Sequence, residues 1–150
     1  MIREAMIKDV DKILFFIKQL AIYEKMEDEV STTTDTLKKW IFEKNGAKVI
    51  FACDGIKEVG MALYFYNYST FNGKCGLYLE DLFVLPEYRG KGYGLELINA
   101  LKDIVKKEEL GRFEWECLDW NTPSIEFYTK KLKATPMTEW TKYRLKSDEI

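Results

Sequence analysis

A chain of 150 residues, 47% hydrophobic and 15% aromatic, is long and apolar enough to bury one core and is not a disordered tail. Its 23 Lys and Arg against 25 Asp and Glu leave a net charge of -2, without the basic excess of a nucleic-acid binder. Histidine is absent, so Ser-His-Asp and Cys-His nucleophiles are excluded and acid-base chemistry falls to carboxylates, Tyr, Lys or Cys.

Ile2 to Ala5 reads as a short strand. Val10, Ile13, Leu14, Ile17, Leu20 and Ala21 recur at spacings of three and four, an amphipathic helix with Asp9 and Asp11 at its amino end. The Ser31–Thr34 cluster can cap a second helix from about Asp35 to Glu43. Residues 48–53 and 58–66 form strands joined by an Asp54-Gly55 turn, and 76–85 form a longer apolar strand ended by Pro86. Leu95 to Lys107 is helical, with Leu97, Ile98, Leu101, Ile104 and Val105 on one stripe. Arg112 to Leu118 alternates as a strand, Pro123 to Lys131 is a short helix, and Thr141 to Leu145 closes with a strand. The expected architecture is a single α/β domain over residues 1–150: a mixed sheet flanked by helices, with antiparallel hairpins first and one parallel crossover in the second half.

No apolar run approaches the roughly 18 residues that cross a bilayer, and the charged amino end lacks the apolar stretch of a signal peptide. Cys53, Cys75 and Cys117 are odd in number and without CxxC spacing. A disulfide framework and a metal site are therefore not expected, and a reducing cytoplasm is the default. Without a histidine to activate them, Cys75 and Cys117 read as buried structural residues rather than acyl carriers.

The segment Leu85-Pro86-Glu87-Tyr88-Arg89-Gly90-Lys91-Gly92-Tyr93-Gly94 leaves a buried strand, turns on glycines and enters a helix. Such a turn aims several backbone N–H groups at one spot beside a helix amino end, which suits a phosphate or diphosphate. Arg89 and Lys91 add charge. The Walker pattern fails because Gly92 follows Lys91, and the dinucleotide pattern starting at Gly90 fails at Leu95. What remains, Arg-x-x-Gly-x-Gly over Arg89, Gly92 and Gly94, resembles the loop with which the GNAT superfamily of N-acetyltransferases cradles the diphosphate of acetyl-CoA.

A second block, Trp120-Asn121-Thr122-Pro123-Ser124-Ile125-Glu126-Phe127-Tyr128, is also similar to that superfamily. The resemblance implies that Tyr128 is the general acid for the departing thiolate, and that Asn121 and Ser124 contact the cosubstrate. A phenol of pKa about 10 is a fitting donor to a thiolate whose thiol has a pKa of about 8.5. Within the superfamily, Ile2-Arg3-Glu4-Ala5, the helix ending Leu20-Ala21-Ile22-Tyr23-Glu24, and Tyr78-Leu79-Glu80-Asp81-Leu82-Phe83-Val84 resemble the spermidine/spermine (diamine) acetyltransferases over nearly the whole chain. That likeness implies a GNAT fold, acetyl-CoA as cosubstrate, no metal and a homodimer. It further implies that Leu82, Phe83 and Val84 offer backbone groups to the pantetheine arm, that Arg89 to Leu95 (with Gly90, Lys91, Gly92, Tyr93 and Gly94) hold the diphosphate, and that Tyr23, Glu24 and Glu80 face the acceptor. Two departures stand out: no glycine follows the Phe-Tyr helix in Thr129–Ala134, and the stretch from Ala134 to Trp140 is short, though Glu139 and Trp140 remain.

An amine must lose its proton before it attacks a thioester, and a lysine-like amine has a pKa near 10.4, so a carboxylate or a water relay is needed. Glu80 is the candidate. If Glu24, Glu27 and Asp28 at the end of the first helix converge with Glu80, Asp81, Glu114 and Glu116 on the strands, they form an anionic groove walled by Tyr23, Trp115 and Trp140, with Glu139 a further candidate contact, suited to a small polyamine or diamine. Thialysine and other lysine-like amines, aminoglycoside-like amines and peptide amines remain alternative acceptors, and a non-catalytic acyl-CoA-binding module is the reading outside enzymes. No nucleic acid or membrane partner is expected.

Overall fold

The computed structural model describes residues 1–150 as two compact units, Met1–Glu116 and Cys117–Ile150. The first unit carries one five-stranded sheet in the order β1-β2-β3-β4-β5. The strands are β1 (Ile2–Glu4), β2 (Lys48–Asp54), β3 (Lys57–Ser69), β4 (Lys74–Val84) and β5 (Phe113–Trp115). β1 to β4 pair antiparallel, while β5 pairs parallel with β4 after the crossover helix α3 (Tyr93–Lys107). The neighbour-to-neighbour order follows from the short links, because adjacent antiparallel strands need only a tight turn.

Strand alternation divides the core into two layers. Val49, Phe51, Cys53, Met61 and Phe83 pack with Val10, Ile13 and Phe16 of helix α1 (Val10–Tyr23) and with Leu37 and Ile41. Leu97, Ile98 and Leu101 of α3 are fully buried, and α3 approaches the sheet so closely that a Cβ on Gly60 would lie 3.3 Å from Leu97. Helix α2 (Thr34–Leu37) starts where the cap cluster predicts, with Thr33 accepting from the Thr36 N–H. It continues over Lys38–Glu43 as a wider turn with five-residue hydrogen bonds, so the expected helix from Asp35 to Glu43 is real but not uniformly α.

In the second unit, α4 (Thr122–Glu126) is capped by the Asn121 carboxamide and widens over Phe127–Lys131. The turn ends at Lys133 with φ 59, a left-handed conformation that glycine adopts more readily, in the stretch where the resemblance leads one to expect a glycine. Two strand expectations are corrected. β5 covers Phe113–Trp115 rather than Arg112–Leu118, because its pairing with β4 stops at Leu79 opposite Trp115. Thr141–Leu145 alternates in sequence but forms no strand, since no sheet strand pairs with it. The cysteines are unpaired, but only Cys53 is buried; Cys75 is exposed near the start of β4, after the solvent-facing turn 70–73, and Cys117 is half-buried.

Candidate active site

The central feature is the end of β4. Beyond Leu79 this strand loses β5, so Glu80 to Val84 keep only β3 as a strand partner and their other backbone edge is without a strand. A register shift occurs at the same point: Tyr64 pairs with Leu79 and Leu63 with Asp81, leaving Glu80 as the extra residue of a β-bulge. A bulge turns two successive side chains toward one face and bends the strand. Here it leaves Glu80 exposed and Asp81 half-buried.

Asp81 feels Glu24 from the end of α1 and Glu80 from its own strand. Burial first, then these two charges, push its carboxyl up to about 7 from an ordinary 3.8. Glu24 is also pushed up, by burial alone. None of the ion pairs in the structure includes Glu24, Glu80 or Asp81. The three carboxylates do not converge as metal ligands do. Together they form a local excess of negative charge with one member able to hold or release a proton near neutrality.

The other acidic candidates of this unit are already engaged. Glu114 pairs with Arg112 at 2.7 Å and accepts from Asn67, and Glu116 accepts from the Tyr78 hydroxyl, whose pKa rises through burial and that bond. The sequence gives no sign of this separation, because Asn67 and Tyr78 reach Glu114 and Glu116 only through the sheet register.

After Val84 the chain makes a short turn over Pro86–Tyr88 and then the glycine loop. Gly90 and Gly92 have φ 75 and 94, and open space surrounds the position a Cβ would take at either. Left-handed glycines beside an unblocked helix start leave backbone N–H groups reachable by an anion. Gly92 is the residue before α3, so Tyr93, Gly94 and Leu95 form its first turn. Tyr93 rests beside Tyr88 with centroids 6.1 Å apart, and Gly94 faces Val84. Tyr88 also lies between two lysines: Lys91 Nζ is 5.0 Å and Lys57 Nζ 4.9 Å from its ring. Lys57 escaped the sequence reading because it stands on β3, far from the loop in the chain.

Arg89 takes an unexpected position. Its Nε donates to the Val84 carbonyl at 2.9 Å, and its guanidinium lies 4.9 Å from the Tyr23 ring and 5.1 Å from that of Phe83. Phe83 is buried against Phe16 and Tyr23, whereas Leu82 is half-buried and pairs with Ala62. Tyr23, Glu24, Glu80, Asp81, Phe83, Val84 and Arg89 thus gather around one strand end.

Among the candidates of the second unit, Asn121 is buried and its Oδ1 accepts from the Ser124 N–H at 3.4 Å. Tyr128 is half-buried, packed edge-on against Phe127. Glu139 and Trp140 lie in the exposed stretch after Lys133, with Trp140 77% exposed.

The glycine cradle, the free border of β4 and the charge at Arg89 and Lys91 fit a long ligand with a diphosphate and an amide-bearing arm. The acetyltransferase (GNAT) family matches residues 14–133. The chain is 34% identical to thialysine N-epsilon-acetyltransferase of Sus scrofa, covering 100% of this chain and 94% of that protein. It is 31% identical to spermidine/spermine N(1)-acetyltransferase-like protein 1 of Homo sapiens, over 99% of this chain and 23% of that protein. A solved integron cassette protein from the mobile metagenome of V. cholerae superposes with a TM-score of 0.81 at 27% identity, covering 99% of this chain and 93% of that one. The chain belongs to the GNAT family and is an N-acetyltransferase.

Proposed function

We propose that the enzyme transfers the acetyl group of acetyl-CoA to the terminal primary amine of a small lysine-like molecule, thialysine being the type, by direct attack in a ternary complex. The carrying observation is the uncompensated group of Glu24, Glu80 and Asp81 beside the open end of β4. This group can receive one ammonium, draw its proton onto the Asp81–Glu80 pair, and leave the neutral amine facing the thioester carbonyl. The N–C bond forms as the C–S bond breaks, the Tyr128 phenol supplies the proton that the departing sulfur takes up, and the second proton, shed by the nitrogen as it becomes an amide, returns the phenolate to a phenol through solvent. Direct transfer accords with the absence of histidine to activate a cysteine.

The polyamine reading relies on a longer anionic groove. Engagement of Glu114 by Arg112 and of Glu116 by Tyr78 weakens it, since both carboxylates are already answered within the sheet. The thialysine acetyltransferase relative, matched over its length, points the same way. A homodimer in a reducing cytoplasm completes the proposal, supported by the family likeness and three unpaired cysteines.

The deciding experiment incubates the purified protein with acetyl-CoA and thialysine, ornithine, putrescine or spermidine, with products read by mass spectrometry. The expected result is acetylation of the thialysine side-chain amine at a higher kcat/KM than spermidine. Acetyl-CoA consumption no faster than hydrolysis with every amine would reject the function. A preference for spermidine would restore the polyamine reading.

A further inference from the structure

The helix that carries Tyr128 changes its winding where the tyrosine stands. α4 begins as an ordinary turn, with the Asn121 side chain accepting from the Ser124 N–H and the Ile125 N–H donating to the Asn121 carbonyl at 3.0 Å. Over Phe127–Lys131 it widens, and the Leu132 N–H donates to the Phe127 carbonyl at 3.1 Å, five residues back. The Tyr128 carbonyl accepts from the Ala134 N–H, six residues on, at 3.0 Å. Wide turns are rare inside α-helices and concentrate at functional sites, because α winding is otherwise preferred. Some interaction has to hold this one open.

Thr129, half-buried and next to Tyr128, is placed to do so. Its hydroxyl donates to the Ile125 carbonyl at 2.8 Å, four residues back. A hydroxyl bonded in this way competes with the backbone N–H for the carbonyl and opens or bends the helix. The Lys130–Glu126 pair spans the same turn at 3.0 Å, but both side chains are largely exposed and such a pair contributes little.

We infer that Thr129 is a positioning residue for the proton donor: its hydroxyl keeps the turn wide, and the wide turn aims the Tyr128 phenol. This rests on the proposed role of Tyr128 as proton donor to the departing sulfur. Reclosing the turn with four-residue bonds would rotate the segments on either side of it by roughly 100° relative to each other, one residue's step in an α-helix. Tyr128 lies inside the turn and takes a share of that rotation. The share matters, since a displacement of about 1 Å at a reacting group can cost a hundredfold in rate.

The test measures steady-state kinetics with thialysine, or the best acceptor from the product assay, alongside CoA affinity by calorimetry. The variants are Thr129→Val, Thr129→Ala and Thr129→Ser, each alone and combined with Tyr128→Phe. Thr129→Val keeps the shape and removes the hydroxyl; it should lower kcat about tenfold, with CoA affinity and the KM for acetyl-CoA held within about twofold. Thr129→Ser keeps the hydroxyl and should stay within about twofold of the wild-type kcat. In the Tyr128→Phe background, Thr129→Val should cost nothing further, because the group it aims is gone. An unchanged kcat in Thr129→Val, an equal loss with and without the phenol, or a serine variant as slow as the valine one would each overturn the inference. If Thr129→Val fails to fold, Thr129→Ala against Thr129→Ser decides by the same criteria. When Tyr128→Phe is slow but Thr129→Val is not, only this inference falls. When Tyr128→Phe keeps full kcat, the proton-donor role falls and takes the inference with it.

Discussion

Asp81 is a carboxylate whose environment opposes its charge. With the carboxyl at about 7 in the fold and an ordinary value of 3.8, the folded protein binds more protons than the unfolded chain between about pH 4 and 7. Its contribution to stability therefore falls as pH rises through that window. Asp81→Asn should raise stability at pH 8 by about 1–3 kcal/mol in urea unfolding, while lowering kcat/KM for acetyl transfer by about a hundredfold. For the wild type, kcat/KM should rise with pH along a limb centred near 7. Glu80→Gln removes one of the two like charges, so that limb should move to lower pH by roughly half a unit. A limb unmoved by the substitution would separate Glu80 from the titration. Tyr128→Phe should lower kcat by about a hundredfold and leave CoA affinity within about twofold, measured by turnover and calorimetry in parallel. Equal loss of both would mark a structural tyrosine.

At the level of elements, regular segments were readable and their interruptions were not. The α1 stripe, the Thr33 cap, the Asp54-Gly55 turn and the crossover before β5 follow from periodicity and turn chemistry. The bulge at Glu80 depends on how Leu63 and Tyr64 meet β4, which alternation within one strand does not specify. It decides the site nonetheless, since it leaves Glu80 exposed and Asp81 half-buried next to each other on the strand. The end of α4 shows the opposite relation. The missing family glycine signals an unusual stop, and the wide turn closing at left-handed Lys133 supplies it. Lys133→Gly should relieve that backbone strain and raise stability by about 0.5–1 kcal/mol, seen as a small rise in the thermal midpoint with activity kept. A loss of stability there would mean that the lysine side chain itself holds the turn.

Over the whole molecule, the amino end is tied to the sheet by charge. Arg3 forms paired bonds to Asp9 at 2.8 and 3.0 Å and also binds Glu58, which Lys12 reaches at 2.7 Å. The Arg3 hydrogen bonds hold the Asp9 carboxyl down to about 2 despite its burial. Burial raises Glu58, but Lys12 and Arg3 outweigh it and bring it to about 2 as well. Both groups therefore add stability that is complete above about pH 4.5 and is lost as pH falls toward 2. Arg3→Ala leaves the buried Asp9 carboxylate with only the Met6 N–H at 2.9 Å and Lys12 at 4.0 Å, and should cost about 2 kcal/mol at pH 7 in urea unfolding, with a shallower acid dependence than the wild type. The sequence by itself determined the fold class, the glycine loop and the Phe-Tyr block, because these are carried by short-range pattern and by residue types that few other structures require. It also led to a closing strand that does not form and to one continuous anionic groove. Only the tertiary structure decided which carboxylates are free, since Arg112, Asn67 and Tyr78 meet Glu114 and Glu116 across strands distant in the chain. It likewise decided where Arg89 points, because a flexible side chain takes its partner from whatever packing brings within reach.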